Sequence, residues 1–107
     1  HVIIDYNHST DAALDLTPMA EKLTGFHLDV RKCDGHAVGD IVASLRPQKT
    51  WTGMACTASL PVVVIADTIK GCGVGAIEDS PQAWHHRAPT DSELKQFTQE
   101  LSCEHNS

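Results

Sequence analysis

The sequence predicts an α/β fold, an open parallel sheet with flanking helices. Two apolar runs carry that expectation, VIIDY at 2–6 and PVVVIA at 61–66. Neither alternates apolar with polar residues, so both read as strands covered on two faces, which is what parallel sheets require. Each is followed by a polar loop and then by a helical pattern, the order of an open parallel arrangement.

Taken in order, the first strand closes on polar residues, and NHSTDAALD over 7–15 is a turn-rich loop at its carboxyl end. Thr17 and Pro18 mark a helix start, with Thr as N-cap and Pro at the first helical position. Met19, Ala20 and Leu23 follow, and the helix stops near Gly25. A second strand is expected over 26–33. Asp34-Gly35-His36 is a turn, and 38–45 is a helix whose apolar face is Val38, Ile41, Val42 and Leu45. Pro47 ends it. Residues 48–60, which include Trp51 and Gly53, have no strong period and read as an irregular connection. After the strand at 61–66, Thr90-x-x-Glu93 is a capping box that opens a last helix through about Leu101. Leu94, Phe97 and Leu101 share one face of that helix.

Composition narrows the function classes. At 107 residues, 41% apolar and 21% charged, the chain is at most one ordinary globular domain. A formal charge of −6 argues against non-specific nucleic-acid binding and against an anionic membrane surface, since both need a basic footprint. No apolar stretch reaches the roughly 18 residues of a membrane span, so a soluble, cytoplasmic protein is the expectation. Cys33, Cys56, Cys72 and Cys103 form no C-x-x-C pair and read as free thiols. The chain enters directly at His1 into the first strand, so it reads as part of something longer.

The chemistry concentrates after the strand at 61–66. A buried strand there delivers Thr68, Lys70, Gly71 and Gly73 into a T-x-K-G-x-G loop, and Trp84-His85 follows a dozen residues later. One cation beside flexible backbone at a sheet edge suits a phosphate or diphosphate ligand. Lysines in glycine-rich loops are commonly solvated, and a histidine beside a tryptophan is commonly packed. The loop alone does not decide between these readings.

Three ordered segments carry a resemblance. VIIDYN, EKLTGFHLDVRKCDGH and VVVIADTIKGCGVGAIED...AWHHRAPTDSEL are similar, in order and spacing, to the thiamine-diphosphate-binding part of transketolases. They cover nearly the whole chain except about residues 46–60. The resemblance implies that residues 1–107 are the C-terminal part of a thiamine-diphosphate-binding domain of the transketolase N-terminal type. It implies thiamine diphosphate with Mg²⁺ (or Ca²⁺) as cofactors, and transfer of a two-carbon ketol unit from a ketose to an aldose. Asn7 falls on the family's metal-binding asparagine, and Ser9 on the position whose backbone carbonyl completes the protein's metal ligands. Oxygen-only ligation suits magnesium. Lys70 falls on the cofactor-contacting lysine. His85 falls on the histidine that reaches both the diphosphate side and the substrate, where an imidazole can move protons near neutral pH. By this reading Asn7, Lys70 and His85 converge at the carboxyl edge of the sheet.

The same resemblance implies partners. These are the preceding part of the domain with its G-D-G metal motif, a pyrimidine-binding transketolase domain or subunit in a homodimer-type assembly, and a sugar or sugar-phosphate substrate. The sequence departs from the family pattern at His86, where glycine is usual, and at Cys72, where a basic residue is common. Those departures keep open a non-catalytic remnant or interaction module of the same fold. Another thiamine-diphosphate enzyme, such as a 1-deoxyxylulose-phosphate synthase, is a further alternative, fitted less well by A-D-T-I-K-G.

Overall fold

The computed structural model describes residues 1–11, 13–46 and 60–104. The chain divides into two compact units, His1–Thr68 and Ile69–Ser107.

The first unit is an α/β sheet, with β1 (Val2–Tyr6), α1 (Met19–Gly25), β2 (Asp29–Asp34), α2 (Val38–Leu45) and β3 (Val62–Asp67). The three strands lie in the order β1-β3-β2, and both pairings are parallel, with Val2 opposite Val63 and Val30 opposite the same residue. The expected fold class is therefore the observed one. β3 takes the centre because its run of β-branched residues packs well on a pleated surface with neighbours on both sides. Val63, Val64, Ile65 and Ala66 are its buried core.

Parallel register puts paired side chains on the same face. Tyr6, Lys32, Ile65 and Asp67 share a face with the first turn of α1. Arg31 and Cys33 share the opposite face with Asp40, Ala43 and Ser44 of α2. The two helices thus cover opposite faces, as right-handed crossovers running in opposite directions must.

Several expectations need correction. β1 is parallel as expected but not buried: Val2 and Ile3 are each 54% exposed, because among the described residues β1 pairs on one side only. The second strand begins at Asp29, not at residue 26. The N–H groups of Phe26 and His27 close the end of α1 on Leu23 and Thr24, and His27 turns the chain with φ 59°. Pro18, not Thr17, is the N-cap of α1. Thr17 is taken by Asp15, whose carboxylate accepts both its N–H at 2.8 Å and its hydroxyl at 2.5 Å. α2 has the expected bounds, but Val38 and Val42 are exposed and Ser44 is the buried position. The expected connection at 48–60 lies outside the described residues except for Leu60.

Arg31 supplies what α2 lacks at its carboxyl end. Its guanidinium donates to the carbonyls of Ser44 at 2.6 Å and Arg46 at 2.7 Å, and pairs with Asp29 at 2.5 Å. Helix ends need such donors for carbonyls without an intrahelical partner. The turn after β2 also needs its glycine. A Cβ at Gly35 would sit on the Thr68 methyl and 2.9 Å from the Asp67 carbonyl oxygen, the group that accepts the Gly35 N–H at 2.8 Å.

The second unit holds the loop after β3, a short α3 (Gly75–Glu78) that the sequence did not announce, and α4 (Asp91–Glu104). The capping box is present in full. Thr90 N–H donates to Glu93 Oε2 at 2.8 Å, and Glu93 N–H donates to Thr90 Oγ1 at 3.4 Å. Phe97 is 6% exposed, whereas Leu94 and Leu101, expected beside it, are exposed. Phe97 takes that position by meeting Trp84 edge-on, with ring centres 5.2 Å apart. Trp84 in turn donates Nε1–H to the Ala76 carbonyl at 3.1 Å and carries the Arg87 guanidinium 3.7 Å above its ring. Among the described residues no helix is long and apolar enough to cross a membrane.

Candidate functional site

Asn7 and Ser9 follow the carboxyl end of β1. Asn7 Oδ1 accepts the Ser9 N–H at 3.1 Å, and Asn7 Nδ2 donates to Asp5 Oδ2 at 3.3 Å. This is the local turn that asparagine forms readily after a strand. It fixes the amide orientation and leaves Oδ1 a second lone pair. Asp5 is tied to the end of β3 through the Thr68 hydroxyl, and Thr68 N–H donates to the Tyr6 carbonyl at 3.1 Å.

His8 stands between the two metal-ligand candidates, with φ 58°. Its Nδ1 lies 2.7 Å from Asp11 Oδ2 and its Nε2 lies 2.9 Å from Asp67 Oδ1. An imidazole with a carboxylate at each nitrogen is best satisfied as the imidazolium. Hydrogen bonds first to Asp67 and then to Asp11 hold His8 above its ordinary value. Burial, then the carboxylates of Asp11, Asp15 and Asp67, raise the Tyr6 phenol. The carboxyl end of β1 is therefore an acidic neighbourhood, a field that favours a cation over a bare anion. His8 was not anticipated from sequence. The His8-x-x-Asp11 spacing was a visible signal, but its second partner, Asp67, lies 59 positions away.

The second unit brings together two of the expected residues. Lys70 Nζ lies 2.5 Å from His85 Nδ1. An ammonium only donates, so Nδ1 is the acceptor and the imidazole proton sits on Nε2. The pair then offers an oxygen-rich ligand a cation and an N–H donor side by side. Gly71 and Gly73 adopt φ 81° and 88°, the left-handed region that glycine reaches without strain. A Cβ at Gly71 would lie 2.6 Å from Ile77 Cβ.

The loop's backbone donors are less free than the sequence suggests. Gly73 N–H donates to Glu78 Oε1 at 2.7 Å, and Gly75 N–H donates to Glu100 Oε2 at 3.2 Å. Two carboxylates thus hold the groups that a phosphate would seek. Neither glutamate was singled out from sequence. Glu78 was legible only as a residue five positions past Gly73 in an unforeseen helix. Cys72, in the same loop, is a free, exposed thiol, and Cys33 is likewise free.

The donor types fit the expected cofactors in kind. Asn7 Oδ1 and the Ser9 carbonyl are hard oxygen donors of the sort magnesium takes, in an acidic field. Among the described residues no group of three or more His, Cys, Asp or Glu side chains gathers around a metal position. A magnesium ion here would complete its shell from the ligand, water and other protein groups.

The fold is that of an open parallel α/β protein, the class that places ligand-binding loops at the carboxyl ends of its strands. Within that class the sequence is similar to transketolase subunits. It is 33% identical over 90 residues to an apulose-4-phosphate transketolase subunit from Actinobacillus succinogenes, covering 81% of this chain and 29% of that protein. It is 30% identical over 105 residues to the protein of the same description from Phocaeicola vulgatus, covering 94% of this chain and 35% of that protein. The chain thus spans about a third of the length of the curated relatives it matches. No protein-family profile matches the chain, and no solved structure matches it.

Proposed function

We propose that this chain is the C-terminal part of the thiamine-diphosphate-binding domain of a transketolase-type subunit. A partner chain completes the enzyme, as the subunit designation of its relatives suggests. The observation that carries the reading is the 2.5 Å contact between Lys70 and His85. A lysine from the glycine loop and a histidine fifteen positions on meet as one donor pair. The similarity to transketolase subunits supplies the reaction class.

Bound thiamine diphosphate supplies the carbon nucleophile that carries a two-carbon unit from a ketose to an aldose. The chain's own residues hold and orient. Asn7, through Oδ1, and Ser9, through its carbonyl, hold Mg²⁺. Lys70 offers its charge to the diphosphate. His85, fixed as the Nε2–H tautomer, donates to a cofactor or substrate oxygen and exchanges a proton there.

The test is calorimetry of thiamine diphosphate binding by the full-length protein with its partner subunit, with and without Mg²⁺. Asn7→Ala is expected to abolish the metal-dependent gain in affinity, and Lys70→Ala to weaken binding with Mg²⁺ still present. His85→Ala is expected to lower ketol transfer by about a hundredfold or more, the usual scale for a lost proton-transfer group. Unchanged affinity in both binding variants rejects these assignments.

Two observations favour a second reading. Glu78 holds the Gly73 N–H and His86 stands in place of a glycine, as in a remnant that kept the fold and lost the ligand. Absence of cofactor binding by the intact assembly, with Mg²⁺ present, would select that reading.

A further inference from the structure

His85 sits in a stretch without helix or strand, and the chain bends at His85 and His86. A side chain on such a stretch keeps one direction only if its neighbours are held. Two neighbours of His85 are held on different elements of the second unit. Trp84 donates its Nε1–H to the Ala76 carbonyl of α3 at 3.1 Å and meets Phe97 of α4 edge-on. Arg87 reaches the start of α4 by a second route, its Nη2–H donating to Glu93 Oε1 at 2.5 Å. The other oxygen of that carboxylate accepts the Thr90 N–H at 2.8 Å, so Glu93 is itself fixed.

The two anchors also meet each other. The Arg87 guanidinium lies 3.7 Å above the Trp84 ring, a cation against the negative face of an indole. Contact between residues three apart closes the chain over 84–87 and leaves His85 and His86 between the anchors. Within that closure the His85 N–H donates to the Gln82 carbonyl at 3.2 Å. Its ring meets the His86 ring edge-on, with centres 4.4 Å apart, and reaches Lys70 Nζ at 2.5 Å. The Arg87 side chain is 45% exposed, and an ion pair so placed contributes little to stability. Its consequence is geometric.

We propose that Arg87 is a positioning residue for His85. By bridging Trp84 and Glu93 it fixes the backbone from which the His85 ring meets Lys70, and so keeps the imidazole proton on Nε2. The inference rests on the proton-transfer role proposed above for His85 and adds the residue that sets the direction of that transfer. An uncharged side chain of similar length would still touch Trp84 but would lose the tie to Glu93. A misplacement of about 1 Å in a reacting group can cost about a hundredfold in rate, so a weak surface tie can matter to chemistry without mattering to folding.

The test uses the full-length protein with its partner subunit and ¹⁵N-labelled histidine, the His85 signals being assigned by their loss in His85→Gln. Long-range ¹H–¹⁵N spectra are expected to show the Nε2–H tautomer alone in the wild type and a mixture in Arg87→Met. Glu93→Gln removes the other end of the tie and is expected to give the same mixture, so misfolding of one variant leaves the other to decide. Arg87→Lys, which keeps a cation over Trp84 and opposite Glu93, is expected to restore the single tautomer. Melting temperatures establish which variants remain folded. With thiamine diphosphate and Mg²⁺ present, Arg87→Met is expected to lower kcat about tenfold with KM and cofactor affinity unchanged. A single unchanged tautomer in either folded variant overturns the proposal. So does a mixture in Arg87→Lys as large as that in Arg87→Met, a mixture already present in the wild type, or an unchanged kcat. The tautomer readout needs no cofactor and therefore decides the positioning by itself, whereas failure of the intact assembly to bind thiamine diphosphate rejects the proposed function.

Discussion

His85 shows how a single contact turns a common residue into a directional one. With Lys70 Nζ at 2.5 Å from Nδ1, the imidazole carries its proton on Nε2. Lys70→Met is therefore expected to release Nδ1 and let both neutral tautomers populate. Long-range ¹H–¹⁵N spectra of His85 should show one tautomer in the wild type and a mixture in the variant, and a single unchanged tautomer in both would count against the pairing. His8 gives a pH prediction. Its folded value is raised above the ordinary 6.5 by Asp67 and Asp11, so the folded state favours the protonated form. That stabilisation is fully present below the unfolded value and is lost as pH rises through the raised folded value. His8→Gln should accordingly lower the melting temperature most at pH about 5.5 and least at pH about 8.5, on either side of the ordinary histidine range. An equal loss at both pH values would mean that His8 is not bridging the carboxylates as its cation.

At the scale of elements, α4 is held at its start by side chains and along its length by few apolar contacts. Thr90 and Glu93 exchange hydrogen bonds, while Phe97 alone of its expected apolar face is buried. Thr90→Ala is expected to cost about 1 kcal/mol, the ordinary value for a lost cap. Urea denaturation should show this as a lower midpoint with an unchanged slope. Glu93 is held below its ordinary value by the Thr90 N–H first, then by Arg87 and the Thr90 hydroxyl. Its contribution is present above the unfolded value and is lost as pH falls through the lowered one. Glu93→Gln should therefore destabilise more at neutral pH than at pH about 3, which lies below the ordinary carboxylate value. A deficit of equal size at both pH values would assign Glu93 a packing role instead.

For the whole molecule, the decisive quantity is charge. A formal −6, with Asp5, Asp11 and Asp67 at the carboxyl ends of β1 and β3, opposes a bare diphosphate. Lys70 is a single counter-charge, and exposed contacts are weakened by water. The isolated 107-residue chain is expected to bind thiamine diphosphate weakly or not at all. The proposed assembly of full-length protein, partner subunit and Mg²⁺ should bind it. Calorimetry on both decides this, and tight metal-free binding by the lone chain would contradict the proposed ligand set. The exposed outer edge of β1, with Val2 and Ile3 each 54% exposed, accords with a chain that spans about a third of its relatives.

The sequence by itself determined the class of fold, and the reason is local. Runs of β-branched residues, the capping box at Thr90 and the glycine turn at Asp34-Gly35 act within a few positions, so β3, α4 and the turn after β2 were legible. It also marked Lys70 and His85 as candidates, because a cation just ahead of two loop glycines and an imidazole near neutral pH are chemically recognisable wherever they fall. Tertiary structure decided what depends on neighbours distant in the chain. It set β1 at an edge, moved the start of β2 to Asp29, and chose Ser44 over Val42 as the buried position of α2. It also brought Asp67 to His8 and placed Glu78 and Glu100 on the loop's backbone donors. None of these follows from periodicity, because each depends on which surfaces pack together, and side chains far apart in the chain share an environment only once the sheet has formed.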